Sequence, residues 1–78
     1  MPTLLIQNGL KYRFYASDGA EPPHVHVVSG RRSAKIWLSD LKIISSQGYN
    51  DLELRRIQKV VGQHRVEWTE AFNGFFGL

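Results

Sequence analysis

The chain has 78 residues, 42% of them apolar and 22% charged, and a formal charge of +3. That is room for one small domain and excludes a disordered polar chain. With no cysteine, disulfide frameworks and Cys-based zinc sites are excluded, and because no apolar run exceeds three residues so are a bilayer-spanning helix and a secretory signal core; a cytoplasmic protein is expected.

The first half alternates with the period of two that marks strands. Thr3-Leu4-Leu5-Ile6 leads into Asn8-Gly9, the dipeptide best suited to the positive φ angles of a two-residue hairpin. Leu10, Tyr12 and Phe14 then share one face, with Lys11, Arg13 and Tyr15 on the other. The segment Ser17-Asp18-Gly19-Ala20-Glu21-Pro22-Pro23 reads as an extended, stiff loop, since neither proline can donate to a sheet ladder. Residues 24–29 form the next strand, with Val25 and Val27 opposed to His24 and His26. Gly30, Arg31 and Arg32 make a turn, and residues 33–38 set Ala34, Ile36 and Leu38 against Ser33, Lys35 and Trp37. A last extended piece is predicted at residues 42–45. Short turns make successive strands antiparallel neighbours, so a meander of four to five strands is expected.

After Gly48 the period becomes helical. Asn50 is a good N-cap, and Glu53 three residues on completes a capping box. Leu54, Ile57, Val61, His64, Trp68, Phe72 and Phe75 recur in steps of three and four, widened by Val60 and Ala71. This predicts one long amphipathic helix over residues 51–75, about 38 Å at 1.5 Å per residue. Its weak point is Gly62, where glycine costs about 1 kcal/mol relative to alanine. The stripe must cover the apolar sheet face. The expected fold is therefore a two-layer α+β domain over residues 1–78, with the sheet in 1–46 and the helix in 50–76. A helix longer than its sheet would overhang it with Trp68, Phe72, Phe75 and Phe76, a partner or dimer contact. The opposite expectation is a chain that folds back at Gly62 and buries them.

Strand parity also collects Lys11, Arg13, Tyr15, His24, His26, Lys35 and Trp37 on the face away from the helix. With Arg31 and Arg32 they make a candidate nucleic-acid surface, cations for phosphates and rings for base stacking. The same face suits an acidic segment of a protein, and a plain solvated face also carries Lys, Arg and Tyr, with Trp37 least at home there. The charge excess lies here as well. Residues 1–49 hold six basic side chains (Lys11, Arg13, Arg31, Arg32, Lys35, Lys42) against three acidic ones (Asp18, Glu21, Asp40), whereas residues 50–78 are balanced.

His24 and His26, two apart on a strand, point the same way and can reach one metal ion or one phosphate. A divalent ion needs a third ligand, available from Asp18 or Glu21 but not from His64 on the apolar stripe. Two histidines are too little signal by themselves, so no metal and no cofactor is assigned. As acid and base on an RNA 2′-hydroxyl, the pair would need Arg13 or Lys35 to hold the phosphate charge. The bland alternative is that both rings pack beside Pro22-Pro23. No phosphate-cradling glycine loop, zincin helix or nucleophile elbow is present.

Met1-Pro2-Thr3, Tyr12-Arg13-Phe14-Tyr15, Glu21-Pro22-Pro23-His24-Val25-His26-Val27, Ala34-Lys35-Ile36-Trp37-Leu38 and Leu54-Arg55-Arg56-Ile57 together resemble the domain-of-unknown-function 4160 family. The resemblance runs over nearly the whole chain, and the Pro-Pro-His-x-His element is its most specific part. Members are small prokaryotic proteins often encoded beside a second short protein, an arrangement that resembles toxin–antitoxin pairs. The resemblance implies a toxin-like component that binds a cognate small protein encoded nearby; the basic, His-containing sheet face adds RNA as a further ligand. Size points the same way: a domain this short buries only about 60% of its unfolded surface, so a homodimer or hetero-complex is expected. The alternatives are a small metal-independent ribonuclease using His24 and His26, or a non-catalytic regulatory module that binds nucleic acid.

Overall fold

The computed structural model of the protein describes residues 3–77, apart from the Ser17 side chain; Met1 and Pro2 of the opening motif lie outside them. Five strands, β1 (Thr3–Gln7), β2 (Leu10–Arg13), β3 (His24–Ser29), β4 (Arg32–Trp37) and β5 (Ile43–Gln47), form one antiparallel sheet in the order β1-β2-β3-β4-β5, the expected meander.

Turn chemistry sets its register. Asn8 (φ 54°) and Gly9 (φ 77°) sit between the paired residues Gln7 and Leu10, the two-residue geometry that Asn-Gly favours. Gly30 (φ 58°) opens an equally tight turn between Ser29 and Arg32. One face of the sheet, with Tyr12, Val25, Val27, Ala34, Ile36 and Leu38, packs on the helical layer to form the core.

Where the pattern predicts one helix over 51–75 there are two, α1 (Asp51–Gln63) and α2 (Arg65–Phe76), with a corner at His64 (φ −110°, ψ 10°). The start is as read: the Asn50 side chain accepts the Glu53 N–H at 2.8 Å, and the Glu53 carboxylate accepts the Asn50 N–H at 2.9 Å. The corner falls two residues beyond Gly62 and has a tertiary cause. A straight rod would carry Trp68 and Phe72 past the end of the sheet, where their apolar surface would stay in water. Bending at His64 lays Trp68 on Tyr12, with ring centroids 5.5 Å apart, and Phe72 on Phe14, 5.2 Å apart. The His64 ring stacks on Trp68 at 4.7 Å, and the Arg65 guanidinium donates to the Ser39 carbonyl just past the corner.

This corrects the overhanging aromatic contact. Trp68 and Phe72 are only 3% and 0% exposed, so they belong to the interior rather than to a partner interface. Phe76 is half-buried against Phe14, at 5.9 Å between ring centres, and of the four only Phe75, 48% exposed, stays largely open. No described helix is long and apolar enough to cross a membrane.

Candidate functional site

The face opposite the main core carries its side chains in cross-strand rows. Arg13 pairs with His26 and His26 with Lys35, so a guanidinium, an imidazole and an ammonium stand in line on β2, β3 and β4 at the usual strand spacing of about 4.8 Å. In the next row His24 pairs with Trp37. The rings interlock: Tyr15 with His26 at 4.6 Å, His24 with His26 at 5.1 Å and His24 with Trp37 at 5.6 Å between centres. Arg13 lies over the Tyr15 ring at 4.9 Å and the Lys35 ammonium over Trp37 at 5.5 Å. Arg13, Tyr15, His24, His26, Lys35 and Trp37 are therefore one cluster, with Lys11 two residues along β2 on the same face.

Two of the basic residues placed with them by sequence are elsewhere. Arg31 is exposed in the β3–β4 turn, at the opposite end of β3 from His24. Arg32 belongs to β4 rather than to the turn and shares parity with Ala34 and Ile36, so it points to the helical side. There its Nη1 donates to Glu53 Oε2 at 3.0 Å and its guanidinium lies over Tyr49 at 5.2 Å. Arg32 is removed from the candidate nucleic-acid surface.

The segment expected to be extended instead curls into a 3-10 turn, Ala16–Ala20, and bends again through residues 21–23 before β3 begins. The cause is Asp18, whose Oδ2 accepts the Tyr15 N–H at 2.7 Å while the Tyr15 carbonyl accepts the Asp18 N–H at 3.0 Å. The curl carries the Asp18 carboxylate, 7% exposed, back under both imidazoles. His26 Nε2 stands 3.2 Å from Asp18 Oδ2 and 3.3 Å from Oδ1. His24 is wholly buried, and its Nδ1–H donates to the Pro22 carbonyl at 2.8 Å. Its Nε2 faces Asp18 Oδ1 at 3.3 Å and Glu21 Oε1 at 3.8 Å, within ion-pair range, yet makes no hydrogen bond. Glu21 Oε1 accepts the Lys35 ammonium at 2.7 Å, and Phe72 closes over His24 from α2 with 5.6 Å between ring centres.

The charges respond to this crowding. Burial on its own would raise the Asp18 carboxyl, but the Tyr15 N–H and the two imidazoles outweigh it and hold the group below the ordinary carboxylate value. Glu21 is held down mainly by the Lys35 hydrogen bond. His26 is pushed below the ordinary imidazole value by burial, helped by His24 and Lys35 and only partly opposed by Asp18. An imidazole depressed in the fold leaves the unfolded chain to take up the proton first. Its contribution is therefore complete above about pH 6.5 and is lost as pH falls below that toward the folded value. With a chelator present, urea midpoints are expected to fall between pH 7 and pH 5, and to fall less in His26→Gln. Equal slopes in the two proteins would contradict the burial of that ring.

The arrangement can do two things chemically. Arg13 and Lys35, with the rings between and beside them, can receive a chain of negative groups. Behind it, Asp18, His24 and His26 bring one ligand atom each to within 4.8 Å of one another. Sequence reasoning placed the histidines and named Asp18 as an available donor, but gave its loop the wrong shape; the signal for the curl is an aspartate able to cap the N–H three residues earlier. The covering Phe72 left no such signal.

A protein-family model, described as Domain of unknown function (DUF4160), matches residues 9–73. Comparison with curated proteins and with solved structures gives no match.

Proposed function

The chain belongs to the DUF4160 family of domains of unknown function, and on that footing we propose that it is the toxin-like member of a two-protein pair, holding an acidic segment of its cognate partner on the outer face of the sheet. The observation that supports this is the cross-strand row Arg13–His26–Lys35 between Tyr15 and Trp37. An extended acidic segment laid across the strands meets a cation on β2 and another on β4, with the His26 ring between them, and the planar guanidinium of Arg13 suits a carboxylate in two-pronged fashion. Glu21 of the chain itself already makes the contact an incoming carboxylate would make, at 2.7 Å to Lys35. A partner encoded alongside, as the family resemblance implies, would supply that segment.

The ribonuclease alternative has less support, because His24 is wholly buried with its Nε2 turned to Asp18, out of reach of a 2′-hydroxyl. RNA is the other polymer the same row would suit. Expressed alone, the protein is expected to slow growth, and the product of the adjacent reading frame to co-purify with it and relieve the effect. In the double variant Arg13→Ala, Lys35→Ala, the Kd for that product should rise at least tenfold at low salt, with a flatter salt dependence. An unchanged Kd overturns the reading. Retention of RNA in place of the protein, with affinity falling steeply as salt rises, reassigns the face to nucleic acid.

A further inference from the structure

We propose that Asp18, His24 and His26 form a binding site for one divalent transition-metal ion of the zinc type. The first observation is the orphaned atom: His24 Nε2 is buried in a side chain with no solvent exposure and has no hydrogen-bond partner, yet it faces a carboxylate oxygen 3.3 Å away. A buried nitrogen left without a bond loses its hydration with nothing in return, which is costly unless something else uses its lone pair. The Pro22 carbonyl, which can only accept, takes the proton on Nδ1 and so leaves Nε2 as the coordinating atom.

The second observation is spacing. Tetrahedral ligands 2.0–2.1 Å from zinc stand about 3.3 Å from one another. His24 Nε2 and His26 Nε2 each stand 3.3 Å from the same oxygen, Asp18 Oδ1, and the three ligand atoms lie within 4.8 Å of one another. An ion bound by all three would take the place of these contacts.

The third is the supporting shell. Metal-binding histidines usually donate their second N–H to a backbone carbonyl, and metal-binding carboxylates are themselves hydrogen-bonded. His24 does the first through Pro22, and Asp18 the second through the Tyr15 N–H at 2.7 Å. Two imidazoles with one carboxylate select zinc, cobalt, nickel, iron or copper over magnesium and calcium, which prefer all-oxygen shells. Glu21 Oε1, 3.8 Å from His24 Nε2, borders the fourth position. Metal binding at this triad needs no partner protein, and is measured without one.

The test uses the untagged full chain, stripped with chelator and titrated with Co2+. The expected result is one equivalent bound, with the visible absorption of a tetrahedral Co2+ site, displaced by Zn2+, and a melting temperature that rises on adding Zn2+. Loss of a supporting partner costs metal affinity roughly 10–100-fold, and removal of a ligand should cost at least the top of that range. His24→Gln, His26→Gln and Asp18→Asn are each expected to weaken binding about 100-fold or more, and His64→Gln to leave it unchanged. If His24→Gln fails to fold, His26→Gln, on a ring with 21% of its side chain exposed, carries the comparison. Folded wild-type protein that shows neither the absorption nor the thermal shift, or a His26→Gln variant that binds as tightly as wild type, overturns the proposal.

Discussion

Phe72→Ala is expected to lower folding stability by about 3–5 kcal/mol, the range for deleting a fully buried phenylalanine. Phe72 is 0% exposed and lies where the two layers and the loop meet, with its ring 5.2 Å from Phe14, 4.6 Å from Phe76 and 5.6 Å from His24. Three neighbours from three segments cannot all collapse into the space it leaves, so little of the cavity would be recovered. A 78-residue domain has a total stability of about 4–12 kcal/mol, which puts the variant close to unfolding. Urea denaturation of the two proteins measures the difference. Phe75→Ala, on the same helix but 48% exposed, should cost clearly less. If the two variants lose the same amount, α2 does not turn inward at His64 as described.

The second large effect is a contrast between neighbours. Ile36→Ala should cost about 2–5 kcal/mol, because Ile36 is 0% exposed in the central part of the sheet, paired with Val25 on one side and Ile43 on the other. Lys35→Ala, one residue earlier, should stay within about 1 kcal/mol. Its ammonium loses an exposed ion pair with Glu21, and such pairs contribute little in water. A one-residue slip in register would exchange the two values, since it turns every side chain of β4 to the other face. Midpoints of chemical unfolding for the pair therefore test the parity on which the outer face depends.

That parity was legible because β2, β3 and β4 each alternate apolar with polar residues, and because Asn8-Gly9 and Gly30 leave tight turns few alternatives. The N-terminus of α1 was equally legible, since Asn50 and Glu53 supply their own hydrogen bonds locally. The corner at His64 was legible only in part: Gly62 marks a weak point two residues before it, and folding back there is one of two expectations. Apolar residues go on recurring in steps of three and four from Val61 through His64 to Trp68, so the pattern is the same for one rod as for two segments. What bends the chain is the burial of Trp68 and Phe72 against the sheet, a contact between residues far apart in sequence. The curl at residues 16–20 was hidden for another reason: the two prolines govern only the residues beside them, while Asp18 shapes the turn before. Arg32 was misplaced because a turn one residue shorter than expected moved it onto the strand and reversed its direction.

The close seating of Gly19 on Phe76 has its own consequence. A Cβ at Gly19 would lie 2.7 Å from the Phe76 ring, so the closing turn of α2 rests directly against the backbone next to Asp18. The far end of the helical layer thus works as a doorstop for the loop. Gly19→Ala would force the Phe76 ring or the loop backbone beside Asp18 to give way. The last turn of α2 and the loop that carries Asp18 are thus in direct contact.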